Sequence, residues 1–184
     1  MSPHPLKYET DCLVQVLGEF KSYDSLLAIS HHTVDIIDPA AGDKVISKAV
    51  PNNVPDQVII HGTVEPSNAI VNFQWHGGKP FPDTPGADWR IFGEKGELRL
   101  TTPSWALNVG GPATKLELFD ATTGVLEPVV VDKDQWDSLP IPAHNIARLY
   151  EAYRLKEWHP DFEWAVKRHK TIDEIFQRFD ASSH

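Results

Sequence analysis

"DQVIIHGTVEPSNAIVNFQWH", residues 56–76, contains two strand patterns joined by a short link. In the first, Val58, Ile60 and Val64 alternate with Ile59, His61 and Thr63. In the second, Val71, Phe73 and Trp75 alternate with Asn72, Gln74 and His76. Alternation with period two puts successive side chains on opposite faces of a strand. The link "EPSN" is too short for a crossover, so it predicts an antiparallel hairpin. With a regular register one face of this hairpin is apolar, and the other carries His61, Thr63, Asn72, Gln74 and His76. An antiparallel sheet can bury one face and leave the other to water, a ligand or another subunit.

The neighbouring segments extend this pattern. Upstream, residues 9–18 predict a short helix, with Leu13, Val14 and Leu17 as its apolar stripe and Gly18 as its C-cap. "SLLAISHHTVDIID" reads as strand, and "DPAAGDK" at 38–44 as a turn. Downstream, "WRIF" and "ELRLTT" flank "GEKG", and "TKLELFD" and "LEPVVVD" flank "ATTG", which predicts two further hairpins. The character changes after Pro140. One helix would align Ile146, Leu149, Tyr150 and Tyr153; a second would align Phe162, Val166, His169, Ile172, Phe176 and Phe179, with Asp161 near its start. On this reading His169 is a core histidine. A block of strands followed by helices predicts an α+β fold: an open-faced antiparallel sheet with helices packed on one face. Residues 1–184 read as one domain, with 1–10 as a flexible N-terminus.

Composition narrows the function. The chain has 17 basic and 26 acidic residues, a net charge of −9, which argues against sequence-independent nucleic-acid binding. No apolar run approaches the roughly 20 residues of a membrane span. The N-terminus has no basic region followed by an apolar core, so no secretory signal is expected. The single cysteine, Cys12, permits no internal disulfide. These features predict a cytoplasmic protein with no membrane and no nucleic-acid partner. The nine histidines are scattered, with His31-His32 the only adjacent pair, and no Cys/His cluster has zinc spacing.

The stretch "WHGGKPFPDTPGADWRIFGEKGELRL", residues 75–100, raises the question of a phosphate loop. A dinucleotide loop runs from a strand into a helix whose N-terminus faces the pyrophosphate. Here both glycine clusters run into strand-like sequence. The G-x-x-x-x-G-K-[ST] signature is also absent. The loop therefore reads as a long strand connection beside a site.

Several segments together resemble a known family. "LGEFKS", "DQVIIHGTV", "GGKPF", "TPGADWRIFGEKGELRLT", "LPIPAHNIARLYEAYR" and "DFEWAVKRHKTIDEI" are similar to the C-terminal domain of Gfo/Idh/MocA-type oxidoreductases, in the fungal branch that includes the galactose-pathway repressor. The resemblance covers most of the chain from about Asp11. It implies a substrate and dimerisation domain with an open-faced sheet, here without the N-terminal Rossmann half that binds NAD(P). The family's nucleotide fingerprint and E-K-P lysine have no counterpart in this sequence. The family often has a catalytic histidine three residues before an aspartate in the first helix; aligning that aspartate with Asp11 puts Tyr8 in its place. Hydride transfer needs a positioned nicotinamide, so no cofactor is expected.

The candidate catalytic residues are His76, Asp88, Tyr8 and His61. His76 is an imidazole able to move protons near neutral pH. Asp88 and Arg90 share a strand face and could pair, to orient a substrate or as a structural ion pair. Tyr8 can donate a phenolic hydrogen bond. Lys79, Arg90, Asn72, Gln74, Trp75, Phe81, Trp89 and His144 are the candidate substrate-binding residues, and Trp105 is a further pocket-wall candidate. Each also has a plainer reading as packing, capping or solvated surface.

Three functions stay open. One is a cofactor-independent, redox-neutral biosynthetic enzyme (cyclase, isomerase, lyase or pericyclase) acting on an apolar organic substrate, a reading motivated partly by the Met start. Another is a fragment or subunit of an NAD(P)-dependent oxidoreductase. The third is a non-catalytic regulatory or binding module. The open sheet face predicts a homodimer in each case.

Overall fold

The structure is a computed structural model that describes residues 6–78, 81–104 and 113–182; side chains at 6–9, 141–142 and 181–182 lie outside that description. The elements in order are α1 (Leu6–Leu17), β1 (Phe20–Ala28), β2 (Thr33–Asp38), β3 (Lys44–Pro51), β4 (Gln57–Val64), β5 (Ile70–His76), β6 (Ala87–Gly93), β7 (Gly96–Thr102), β8 (Lys115–Asp120), β9 (Val125–Pro128), α2 (Ile141–Leu155) and α3 (Phe162–Ser182). The class is α+β, with every strand pair antiparallel. The described strands form three sheets rather than one: β1-β4-β5, β2-β3 and β6-β7-β8-β9. The chain divides into two compact units, Met1–Lys79 with Lys167–His184, and Pro80–Val166.

In the first unit the hairpin forms with the expected register. Val58 faces Trp75, Ile60 faces Phe73, and Gly62 faces Val71. β1 adds Leu27 beside Val58 and Ser25 beside Ile60. α3 covers this face. Ile172 and Ile175 join Leu27, Val58 and Ile60 in the core, with Phe20, Tyr23, Phe73, Trp75, Phe176 and Phe179 packed around them. Each fully buried Val or Ile contributes about 1.5–3 kcal/mol relative to exposure. α1 starts at Leu6, earlier than the sequence suggests, and buries Leu13 and Val14. Gly18 closes it, donating its N–H to the Val14 carbonyl at 3.0 Å.

The expected stripe of α3 holds in its second half, where Ile172 is buried and Phe176 and Phe179 pack on the core, and fails in its first half. His169 is exposed, as are Phe162 and Val166, while Arg168 and Ile175 are buried. Arg168 can be buried because Glu19 accepts from its guanidinium; Lys167 reaches the other Glu19 oxygen at 3.3 Å. A buried charge needs such a partner. The expectation of a core His169 is thus corrected: the helix turns the charged arginine inward against a carboxylate. The helix start follows the sequence, with Asp161 accepting from the Trp164 amide at 2.8 Å.

The second unit holds the four-stranded sheet and α2. α2 docks on a short 3-10 turn, Gln135–Ser138, through Arg148, which reaches Asp134 at 2.7 Å and Asp137 at 3.4 Å. Its expected apolar face, Ile146, Leu149, Tyr150 and Tyr153, is exposed. Among the described residues no helix is long and apolar enough to cross a membrane.

Candidate functional site

The face of β1-β4-β5 opposite α3 is open, and it carries most of the residues expected there. Its rows follow from the register. Asp24, His61 and Asn72 lie side by side, as do Leu26, Ile59 and Gln74, and Ala28, Gln57 and His76. His61, Asn72, Gln74 and His76 are all exposed. Three apolar side chains stand among them: Leu26 at 67% exposure, Ile59 at 36% and Ile70 at 86%. Ser22 and Thr63 hydroxyls meet at 2.9 Å across the strands. The His76 ring Nδ1 lies 3.4 Å from the Gly77 carbonyl. Trp75 belongs to the opposite, core-facing side.

The glycine loop has a structural explanation at two points. Gly78 holds φ +112, a conformation that other residues rarely adopt. A Cβ on Gly86 would sit 2.5 Å from the Pro103 carbonyl oxygen, so only glycine fits against that backbone. The loop leads into β6 and not into a helix, unlike a dinucleotide loop. Phe81 is exposed rather than part of a pocket wall. Lys79 and Trp105 lie outside the described residues, as does the side chain of Tyr8.

Asp88 and Arg90 do not pair with each other. Asp88 takes two bonds from Arg99 on β7, at 3.0 and 2.8 Å. Arg90 donates Nε to one Glu97 oxygen and its terminal nitrogen to the other at 3.0 Å. The register explains this. Arg90 lies directly opposite Arg99, so each arginine turns to the carboxylate one step along the ladder. The hydrogen bonds from Arg99 hold the Asp88 carboxyl below its ordinary value. A carboxylate held so firmly as the anion makes a poor proton acceptor. Trp89 lies on the other face of β6 and is half-buried. His144 sits in the first turn of α2, with Nε2 2.6 Å from the Leu139 carbonyl and Nδ1 3.6 Å from Asp137. It fastens the helix to the 3-10 turn. His76 and His61 belong to the first unit and Asp88, Arg90, Trp89 and His144 to the second.

Two constellations in the first unit were missed by sequence reasoning. Asp56, at the head of β4, is buried and accepts from the Ser30 amide at 2.7 Å, the His31 amide at 2.8 Å and the His31 ring. Its own carbonyl accepts from Gly77 at 2.7 Å. Burial alone would raise this carboxyl; the Ser30 and His31 bonds outweigh it and hold it below the ordinary range. The second constellation surrounds Asp11, the residue aligned with the family aspartate. Burial raises its carboxyl although Arg168 and His169 pull it down. The "HH" pair was the only sequence signal of the first; nothing in sequence tied it to an aspartate 25 positions away. Among the described residues no group of three or more His, Cys, Asp or Glu side chains is placed to hold a metal ion.

The fold and the open sheet face define the class: a C-terminal domain of the Gfo/Idh/MocA type, with no dinucleotide-binding fold among the described residues. More narrowly, residues 3–102 match the family model of the Gal80p C-terminal domain, and the chain belongs to that family. Among solved structures it is similar to a super-repressor mutant of Gal80p from Saccharomyces cerevisiae, at 18% identity and TM-score 0.75, with 96% of this chain covering 47% of that one. It is also similar to the transcriptional regulator Gal80p from Kluyveromyces lactis, at 18% identity and TM-score 0.70, covering 94% and 44%. At such identity the likeness is one of fold, and the chain spans less than half the length of these proteins. No match was found among the curated proteins.

Proposed function

We propose that this domain is a non-catalytic regulatory and binding module, and that its open β1-β4-β5 face docks a second copy of the chain. The observation that carries this reading is the composition of that face. Leu26, Ile59 and Ile70 stand exposed among hydrogen-bonding side chains of Asp24, His61, Asn72 and Gln74. Interfaces of moderate polarity have this make-up. The side chains are also fixed on strands, so little order would have to be gained on docking. The solved relatives are described as a transcriptional regulator and a super-repressor, which favours regulation over catalysis. The redox-neutral enzyme reading has less support. Asp88 and Arg90, two of its candidate residues, are held in ion pairs with Arg99 and Glu97.

The test is a double substitution, Leu26→Lys with Ile59→Lys. Both side chains are exposed, so the chain should still fold, with an unchanged circular dichroism spectrum. Self-association measured by sedimentation velocity should weaken by at least about tenfold, as expected for losing anchors inside an interface. Unchanged association would remove this face from the interface.

A further inference from the structure

His31 and Asp56 belong neither to the core cluster nor to the paired rows of the open face. Asp56 is one of few buried charged residues in the described chain, and it sits where β1 ends and β4 begins. Two backbone amides, from Ser30 and His31, fix its carboxylate. Its remaining capacity is directed at Nδ1 of the His31 ring. The burial of the two partners is unequal: the His31 side chain is 59% exposed and that of Asp56 12%. An acceptor-only carboxylate forces the proton of the neutral ring onto Nδ1. The lone pair is then on Nε2, and the ring cannot swivel without giving up Asp56. The supporting geometry is rigid. Asn52 donates its side-chain amide to the His31 carbonyl at 2.9 Å, and the Asp56 amide donates to the Ala28 carbonyl at 3.0 Å. The Gly77 amide bonded to the Asp56 carbonyl places the end of β5, with His76, next to the same corner.

A purely structural aspartate could stop at its backbone amides. Recruiting a largely exposed imidazole adds little stability but determines which nitrogen is basic. We propose that His31 is a proton-accepting site, oriented by Asp56, for a small ligand that carries a weakly acidic O–H or C–H group. The ligand's hydrogen passes as a proton to Nε2, and its electron pair stays on the ligand oxygen or carbon. The imidazolium so formed is neutralised by Asp56 through Nδ1–H. His31 is the group that touches the ligand; Asp56 is a positioning residue. Docking through the open face does not require this site and is tested separately by self-association; proton transfer at His31 would set aside only the non-catalytic part of the regulatory reading.

The probe is 5-nitrobenzisoxazole, whose elimination needs only a base. The C–H bond breaks as the base takes the proton, the nitrile forms, and the N–O bond breaks with its electrons on the phenolate oxygen. The chain should accelerate this reaction, and His31→Gln should lose roughly tenfold or more of that acceleration. Asp56→Asn should lose a comparable share, and nitrogen-15 NMR should show the His31 proton no longer confined to Nδ1. Equal rates for the wild type and His31→Gln would overturn the proposal. If Asp56→Asn fails to fold, the wild type still decides through carbethoxylation by diethyl pyrocarbonate. His31 should be modified several times faster than the adjacent His32, and an equal or slower rate overturns the assignment.

Discussion

At the scale of the residue, charges in this chain are settled by partners distant in sequence. Tyr23 donates its hydroxyl to Glu174 at 2.5 Å, and Arg178 lies over its ring at 4.9 Å. Burial, then the bond to Glu174, pushes its phenol from 10.0 up to about 12. A raised value stabilises the fold below the unfolded value and loses that contribution as pH rises through the folded one. Stability should therefore fall between about pH 10 and 12, and Tyr23→Phe should flatten that part of the profile in thermal melts. Absorbance at alkaline pH should show a late-ionising phenol that Tyr23→Phe removes. Asp56 behaves in the opposite sense. Its carboxyl is held below the ordinary 3.8, so its contribution is present above that value and lost as pH falls through the lower folded one. Asp88→Ala should cost little stability, and less as salt rises, because the Arg99 pair is largely exposed. Few of these pairings were legible in sequence. Asp88 and Arg90 share a strand face and could pair in sequence; the cross-strand register gives both other partners.

At the scale of the element, the legible features were the ones set by short-range periodicity. The β4-β5 hairpin follows the alternation of residues 56–76, because a one-residue slip would turn Val58 and Ile60 out to water. The second half of the α3 stripe was legible, with Ile172, Phe176 and Phe179 on the core as expected, whereas the exposure of its first turns was not. Phe162 and Val166 continue an apolar stripe in sequence, but the sheet is covered by Ile172, Ile175, Phe176 and Phe179. Burial of Arg168 depends on Glu19, 149 positions earlier, and no local pattern reveals it. Ile175 is fully buried in this contact. Ile175→Ala should lower unfolding free energy by about 2–5 kcal/mol in chemical denaturation, the usual cost of a core cavity. Val166→Ala, on the exposed start of the same helix, should change it by less than about 0.5 kcal/mol.

At the scale of the whole molecule, the α+β class and the open face were both legible, because strands preceded helices and one hairpin face was polar. The division of the strands among three sheets was not, since it depends on how hairpins neighbour one another and not on any one of them. The regulatory reading involves no nicotinamide, so titration with NADPH should show no fluorescence change attributable to a bound one. The open sheet face is proposed to join two copies of the chain. Light scattering at micromolar concentration measures this most directly. A mass of about twice the 20.6 kDa chain is expected. A mass of one chain, unchanged as concentration rises, would contradict it.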